Sequence, residues 1–144
     1  MSLDKRDHNS LALWTTDCAE HVLPHFEEKY PKDDRPRKAI ETGRAWARGK
    51  IKMSEARAAA IAAHAAARDA DRAAARAAAR ATGHAAATAH VAGHAPHAAN
   101  YAVKAVTYAA VPTDSTAVAS EERDWQYGRL PAHLRPVAFP ARDN

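Results

Sequence analysis

Residues 54–82 read SEARAAAIAAHAAARDADRAAARAAARAT, a run in which isolated arginines interrupt long stretches of alanine. Alanine has the highest helix propensity of all residues, and the run contains no glycine or proline. Ser54 is a favoured helix-capping residue, and Gly83 directly after the run is typical of a helix end. The stretch therefore predicts one long alanine-rich helix over 54–82, ~43 Å long at about 1.5 Å per residue.

The composition outside this run also favours helices. The 144 residues include 39 alanines and only 5 glycines, whereas residues that favour strands are scarce. We predict an all-α fold, a single-domain helical bundle of about five to six helices. The domain is predicted to span residues 8–135, with terminal tails over 1–7 and 136–144.

Several segments carry helix signals of their own. A helical stripe is expected near the N-terminus because apolar residues recur there at steps of three and four. Its members are Leu11, Trp14, Cys18, Val22 and Phe26. Pro24 predicts a kink or an end near Leu23. Asp34 followed by Pro36 predicts a helix start, and Gly49 its end. A histidine-bearing hairpin is predicted over 84–110, as two segments at 84–92 and 95–110.

Charge and cysteine content bear on the cellular compartment. The net charge is +4, and the single cysteine, Cys18, allows no intramolecular disulfide, which is typical of a reducing cytosol. The longest stretch without Asp, Glu, Lys or Arg, residues 81–103, contains four histidines and a proline. We interpret it as a buried segment rather than a membrane span, and we predict a cytoplasmic protein without membrane contact.

The histidines suggest a metal site as one alternative. His90 and His94 are four residues apart and share a helix face if Gly93 does not break the helix, and His64 could reach them from a neighbouring helix. Two imidazoles at this spacing can bind one cation. No carboxylate lies within 81–103 to orient such ligands, so structural histidines are the favoured interpretation. A metal-binding bundle using His64, His90 and His94 remains the alternative.

Two basic segments are the candidates for binding a partner. Arginines recur every four residues along the predicted long helix, and another group lies within 32–52. The first group is Arg68, Arg72, Arg76 and Arg80, and the second is Arg37, Arg44 and Arg48. Like charges four residues apart slightly destabilise an isolated helix, so solvent or a partner must compensate them. A solvated face is the simplest interpretation, and an acidic protein partner is the next.

Nucleic acid and a second copy of this chain are the other candidate partners beside the acidic protein. Nucleic acid is the second alternative function, but no tryptophan or phenylalanine lies near the basic face to stack on bases. Alanine-rich helices also allow a homodimer. No catalytic residue and no cofactor is predicted, since Cys18 has the carboxylates Asp17 and Glu20 nearby and no glycine-rich phosphate loop occurs.

Two stretches in combination resemble a known family. The first runs from DDRPRKAIE at 33–41 to AWARG at 45–49. The second is AATAHVAGHA at 86–95, continued by ANYAVKAV at 99–106. Together with EERDWQ at 121–126 and the Leu130-Pro131 pair, they resemble the bacterial family of immunity proteins with an Imm-5-like domain. The resemblance covers about residues 10–135.

The resemblance implies a small, all-α, cytosolic and non-catalytic protein. Such a protein binds and neutralises a toxin made by the same cell or its kin. The resemblance assigns no functional residue. The family-like positions are Asp33, Arg37, Trp46, His64, His90, His94 and Trp125.

Overall fold

The computed structural model describes residues 3–111 and 113–140, and within them the chain forms eight α-helices and no strand. The helices are α1 (Lys5–Val22), α2 (Pro24–Glu27), α3 (Arg35–Ala47), α4 (Met53–Asp69), α5 (Ala73–Ala87), α6 (Ala95–Ala110), α7 (Ser115–Gly128) and α8 (Arg135–Ala138). Short 3₁₀ turns occupy Ala92–His94 and Ala132–Leu134. The all-α prediction is confirmed. The prediction of five to six helices is wrong, since the long helix is divided and two four-residue helices are added.

The N-terminal stripe forms the buried face of α1 and α2. Its five apolar residues are all buried, including Leu11 and Cys18 at 0% exposure. Asp4 caps α1 by accepting a hydrogen bond from the Asp7 backbone N–H at 2.8 Å. Pro24 ends α1 and begins α2, as its missing N–H predicts.

Helix α3 begins and ends where the sequence predicts. Pro36 lies in its first turn, where a missing backbone N–H costs nothing. Gly49 follows the helix with a φ of 75°, a left-handed conformation that glycine adopts without strain. The Gly49 N–H bonds the Trp46 carbonyl, and the Lys50 N–H bonds the Ala45 carbonyl, a Schellman motif that satisfies two terminal carbonyls.

The predicted long helix over 54–82 is wrong, because the chain turns at residues 70–72. Ala70 and Arg72 both have extended backbone, with ψ of 135° and 130°. Helices α4 and α5 on either side pack against each other. A continuous helix would expose its alanine faces to water, whereas the turn buries residues such as Ala67 and Ala78.

Side chains from the turn's surroundings satisfy the backbone that the turn exposes. The Arg76 guanidinium donates two hydrogen bonds to the Ala70 carbonyl, at 3.2 and 2.8 Å. The Asp71 N–H donates to the Tyr30 hydroxyl at 2.9 Å, and that hydroxyl donates to the Asp71 carboxylate. Arg35 reaches Asp69 at 3.0 Å. The turn is therefore held by the nearby Arg76 and by Tyr30 and Arg35, which lie far from it in the sequence.

Gly83 does not end a helix, which is a second correction. Helix α5 continues to Ala87, so the predicted separate segment at 84–92 is the end of α5 followed by a turn. A Cβ built on Gly83 would lie 2.6 Å from Cε1 of the His64 ring. The glycine therefore leaves room for the His64 ring of α4 against α5. The second segment of the predicted hairpin, 95–110, coincides with α6.

Helix α5 lies at the centre of the bundle. It packs against α1, α2, α3, α4 and α6, and nine of its residues are buried. Most of these are alanines, each contributing on the order of 0.8 kcal/mol per buried methyl group. Buried threonines satisfy their hydroxyls locally, as Thr82 does by donating to the Ala79 carbonyl at 2.7 Å. The core thus depends on many close contacts rather than on large side chains.

Both ends of the described chain join the bundle. Helix α1 begins at Lys5, within the predicted tail 1–7. Phe139, within the predicted tail 136–144, contacts Trp14 edge-on with ring centroids 5.5 Å apart. Residues 1–2 and 141–144 of these tails lie outside the described residues. The single-domain boundary of 8–135 stays a prediction.

None of the described helices combines the length and the apolar character that crossing a bilayer requires.

We expect Gly43→Ala to lower the free energy of unfolding by about 1–2 kcal/mol, since overpacking outweighs the gain in helix propensity. A Cβ at Gly43 would lie 2.9 Å from the Thr16 methyl carbon, which is buried between α1 and α3. Gly128→Ala is the matched control, because no atom lies within 4 Å of its Cβ position. Urea denaturation of both variants tests this, and equal midpoints would contradict the close approach.

Candidate partner-binding surface and histidine cluster

Two of the seven candidate arginines form ion pairs with carboxylates of the same protein. Arg37 donates two hydrogen bonds to Glu27, at 2.8 and 2.6 Å. Arg44 donates to Glu20 at 3.0 Å and to Asp17 at 2.9 Å. The hydrogen bonds from these arginines hold the pKa of Glu20 and the pKa of Glu27 below their usual values. Both arginines join α3 to the helices before it, so their charge is already balanced.

The other five candidates form no ion pair with a described carboxylate. Asp71 lies near two of them, since its pKa is lowered by its hydrogen bond with Tyr30 and, to a smaller extent, by the charges of Arg72 and Arg76. Arg48, Arg68 and Arg72 are exposed, Arg76 bonds only the Ala70 carbonyl, and Arg80 lies 2.9 Å from Nδ1 of His64. The predicted four-residue ladder is wrong, because the turn at 70–72 puts Arg68 on α4 and Arg76 and Arg80 on α5.

Arg76 and Arg80 line a groove along α6. One cavity of about 290 Å³ lies between α5 and α6, and a second of about 570 Å³ lies between α6 and α7. Tyr101, Lys104 and Tyr108 line both cavities, which therefore adjoin each other along α6. We name the two adjoining cavities together the cationic groove and define it by Arg76, Arg80, Tyr101, Lys104, Tyr108 and Arg123.

The charge of the groove has one sign. Neither cavity is lined by a described carboxylate, and none of the four cations has a described carboxylate partner. Lys104 Nζ lies 4.8 Å from the centre of the Tyr101 ring, and Tyr108 is 46% exposed. The aromatic residues at this basic face are thus tyrosines, which were not considered beside tryptophan and phenylalanine in the prediction.

Sequence reasoning missed Lys104 and Arg123 as groove residues. A signal for Lys104 existed, since Tyr101, Lys104 and Tyr108 follow at steps of three and four and so share one face of α6. No signal existed for Arg123, because its place depends on how α7 packs against α6.

Behind the groove lies a cluster of histidines centred on His84. The His84 ring lies 4.8 Å from the His64 ring, 5.4 Å from His94 and 5.3 Å from His97, measured between centroids. Its Nδ1 atom is 3.2 Å from Nδ1 of His94. It also stacks on Tyr101, with centroids 5.3 Å apart and planes inclined by 9°. The cluster therefore joins α4 and α5 to the floor of the groove.

Three histidines of this cluster, His64, His84 and His94, have a lowered pKa and are neutral near pH 7. Burial, followed by repulsion from Arg80, lowers the pKa of His64 to about 4. Burial, followed by repulsion from His64, lowers the pKa of His84 to about 3. Burial and the neighbouring His97 also lower the pKa of His94. The charged neighbours that face the cluster, Arg80 and Arg68, are both cations.

The predicted metal-ligand set is only partly brought together. His64 and His94 both belong to the cluster around His84, which sequence reasoning missed because it ended the helix at Gly83. His90 lies beyond the end of α5, where its Nδ1 is 3.3 Å from Sδ of Met53, and it shares no helix with His94. No group of three or more described His, Cys, Asp or Glu residues is arranged to hold a metal ion.

Other family-like positions make contacts within the protein. Trp125 stacks on His21 with centroids 3.8 Å apart, and His21 in turn bonds the buried carboxylate of Glu122 at 3.0 Å. Trp46 contacts His8, and Asp33 bonds Arg35 at 2.7 Å. These contacts join α1 to α3 and α7 and order the loop before α3.

We expect Arg44→Ala to lower the free energy of unfolding by about 1 kcal/mol, because two carboxylates of α1 lose their partner. Arg48→Ala removes the same side chain from a position without an ion pair, so its effect is expected within about 0.5 kcal/mol. Chemical denaturation at low and high salt measures both. High salt screens the ion pairs, so it should reduce the difference between the two variants in the free energy of unfolding. Equal effects of the two substitutions at low salt would contradict a stabilising role for the Arg44 ion pairs.

The neutral histidines make stability depend on pH. Because the folded-state pKa values of His64 and His84 lie below 6.5, their contribution is complete above pH 6.5 and is lost as pH falls towards 4 and 3. The paired carboxylates act in a lower window, since their usual pKa is 4.5. The denaturation midpoint should therefore decrease as the pH is lowered from 6.5 to 4.5. This decrease should be smaller in the double variant His64→Gln/His84→Gln. A flat profile for the wild type in that window would contradict the neutral cluster.

Comparison with known proteins identifies the family. A family model described as "Imm-5 like putative immunity protein" matches residues 1–133. No curated protein and no solved structure matches the chain. The matched range contains α1–α7 and the groove. The resemblance read from the sequence is confirmed, and the chain belongs to the Imm-5-like immunity protein family.

Proposed function

We propose that this protein is an immunity protein that binds a cognate bacterial protein toxin and neutralises it without catalysis. The observation that carries the proposal is the family match over residues 1–133. An inhibitor of this kind occupies a functional surface of the toxin, so its own requirement is a stable, complementary surface. We propose that the protein is located in the cytoplasm.

Two features of the fold support a binding role. The helices pack closely around α5, so surface side chains are presented from a firm scaffold. Cations that form no ion pair with a described carboxylate collect on that surface, whereas Arg37 and Arg44 pair with carboxylates of the protein itself. Uncompensated charge accelerates association with a partner of opposite sign and disfavours partners of the same sign.

The test is protection of cells by co-expression. The full-length chain is produced together with the toxin encoded beside its gene, under separate inducible promoters. We expect growth to be restored and the two proteins to co-purify as a stoichiometric complex. A folded chain that neither protects nor co-purifies would contradict the proposal.

Two controls separate neutralisation from other causes of survival. A toxin from an unrelated system in the same strain should remain lethal, since recognition is specific. Gly128→Ala should protect as the wild type does, because its Cβ position is open and belongs to neither cavity of the groove. Protection against every toxin would indicate a general effect on expression and would overturn the proposal.

A further inference from the structure

The cationic groove has a more defined chemistry than the rest of the basic surface. Arg76 and Arg80 are one turn apart on α5, which separates their Cβ atoms by about 6 Å. Lys104 faces them from α6, and Arg123 closes the far side from α7. Three helices thus place four cations around the two adjoining cavities, with Lys104 lining both.

The dimensions of the groove match a short peptide segment. From His97 to Tyr108 the groove follows α6 for about 16 Å at 1.5 Å per residue. That length corresponds to about five residues of extended chain. Alternate residues of an extended chain are about 6–7 Å apart on one face, close to the spacing of the two arginines on α5.

We propose that the cationic groove binds an acidic peptide segment, with carboxylates seated between Arg76, Arg80 and Lys104. This inference rests on the proposed function, because the segment would belong to the toxin. Guanidinium groups bind carboxylates through paired, charge-assisted hydrogen bonds, which specify orientation as well as charge. The hydroxyls of Thr107, Ser115 and Thr116 line the α6–α7 half of the groove and can bond peptide carbonyls or amides.

A nucleic acid would need aromatic rings that are free to stack on bases. The Tyr101 ring already stacks on His84 and lies under Lys104. Of the two tyrosines that define the groove, Tyr108 is therefore the one with an exposed ring. The groove supplies charge pairing but little stacking, which favours carboxylates over bases.

The test uses a fluorescein-labelled octaglutamate peptide and the folded full-length protein. We expect saturable binding by fluorescence anisotropy at about 50 mM salt, weakening as salt screens the charges. Lys104→Glu/Arg123→Glu should weaken binding more than about tenfold, because it reverses two groove charges and leaves α5 intact. Absence of binding by the wild type would overturn the proposal.

The matched control is Lys50→Glu/Arg57→Glu. It makes the same change of net charge at exposed residues that line neither cavity. We expect less than about a threefold effect, since only long-range attraction is altered. Equal weakening in both double variants would show that net charge alone attracts the peptide and would overturn the proposal.

An eight-nucleotide single strand distinguishes the other class of ligand. If it binds more tightly than octaglutamate and Lys104→Glu/Arg123→Glu removes that binding, the groove is a nucleic-acid site and the peptide proposal is wrong. The same variants in the protection assay separate this inference from the proposed function. Protection retained by Lys104→Glu/Arg123→Glu would overturn the groove as the toxin site, whereas failure of the wild type to protect would overturn the function.

Discussion

Five helices pack against α5, and they can do so only because its side chains are small. Alanine methyl groups let neighbouring helices come close, and Gly83 leaves room for the His64 ring, so contact area replaces side-chain volume as the source of stability. This constraint also explains the turn at 70–72. Two alanine-rich helices bury far more surface against each other than one long helix buries alone, and the chain folds back to achieve it.

The close packing determines where charge can be neutralised. The acidic residues of α1 and α2, such as Glu20 and Glu27, lie beside α3 and pair with its arginines. The face formed by α5, α6 and α7 has no comparable supply of carboxylates at its groove. The fold therefore divides a basic sequence into a neutralised side and an uncompensated side, and recognition is expected at the second.

The histidine cluster connects the core to the uncompensated side. His84 extends from the central helix to the ring of Tyr101, which forms part of the groove floor. Neutral imidazoles suit this position, since they add no charge beside Arg80 and can bond one another through ring nitrogens. The cluster thus acts as a polar filler between alanine helices and supports the residues that face a partner.

The sequence by itself determined the helical class, the stripe from Leu11 to Phe26 and the limits of α3, because these depend on propensity, periodicity and local turn chemistry. Its motifs also resembled the family to which the chain belongs. It did not determine the division of 54–82 or the grouping of His64 with His84. Alanine propensity favours a continuous helix, and the burial gained when α4 packs on α5, together with contacts from distant residues such as Tyr30, outweighs it. Which arginines are free was likewise decided by tertiary structure, since a charge is neutralised by its neighbours in space.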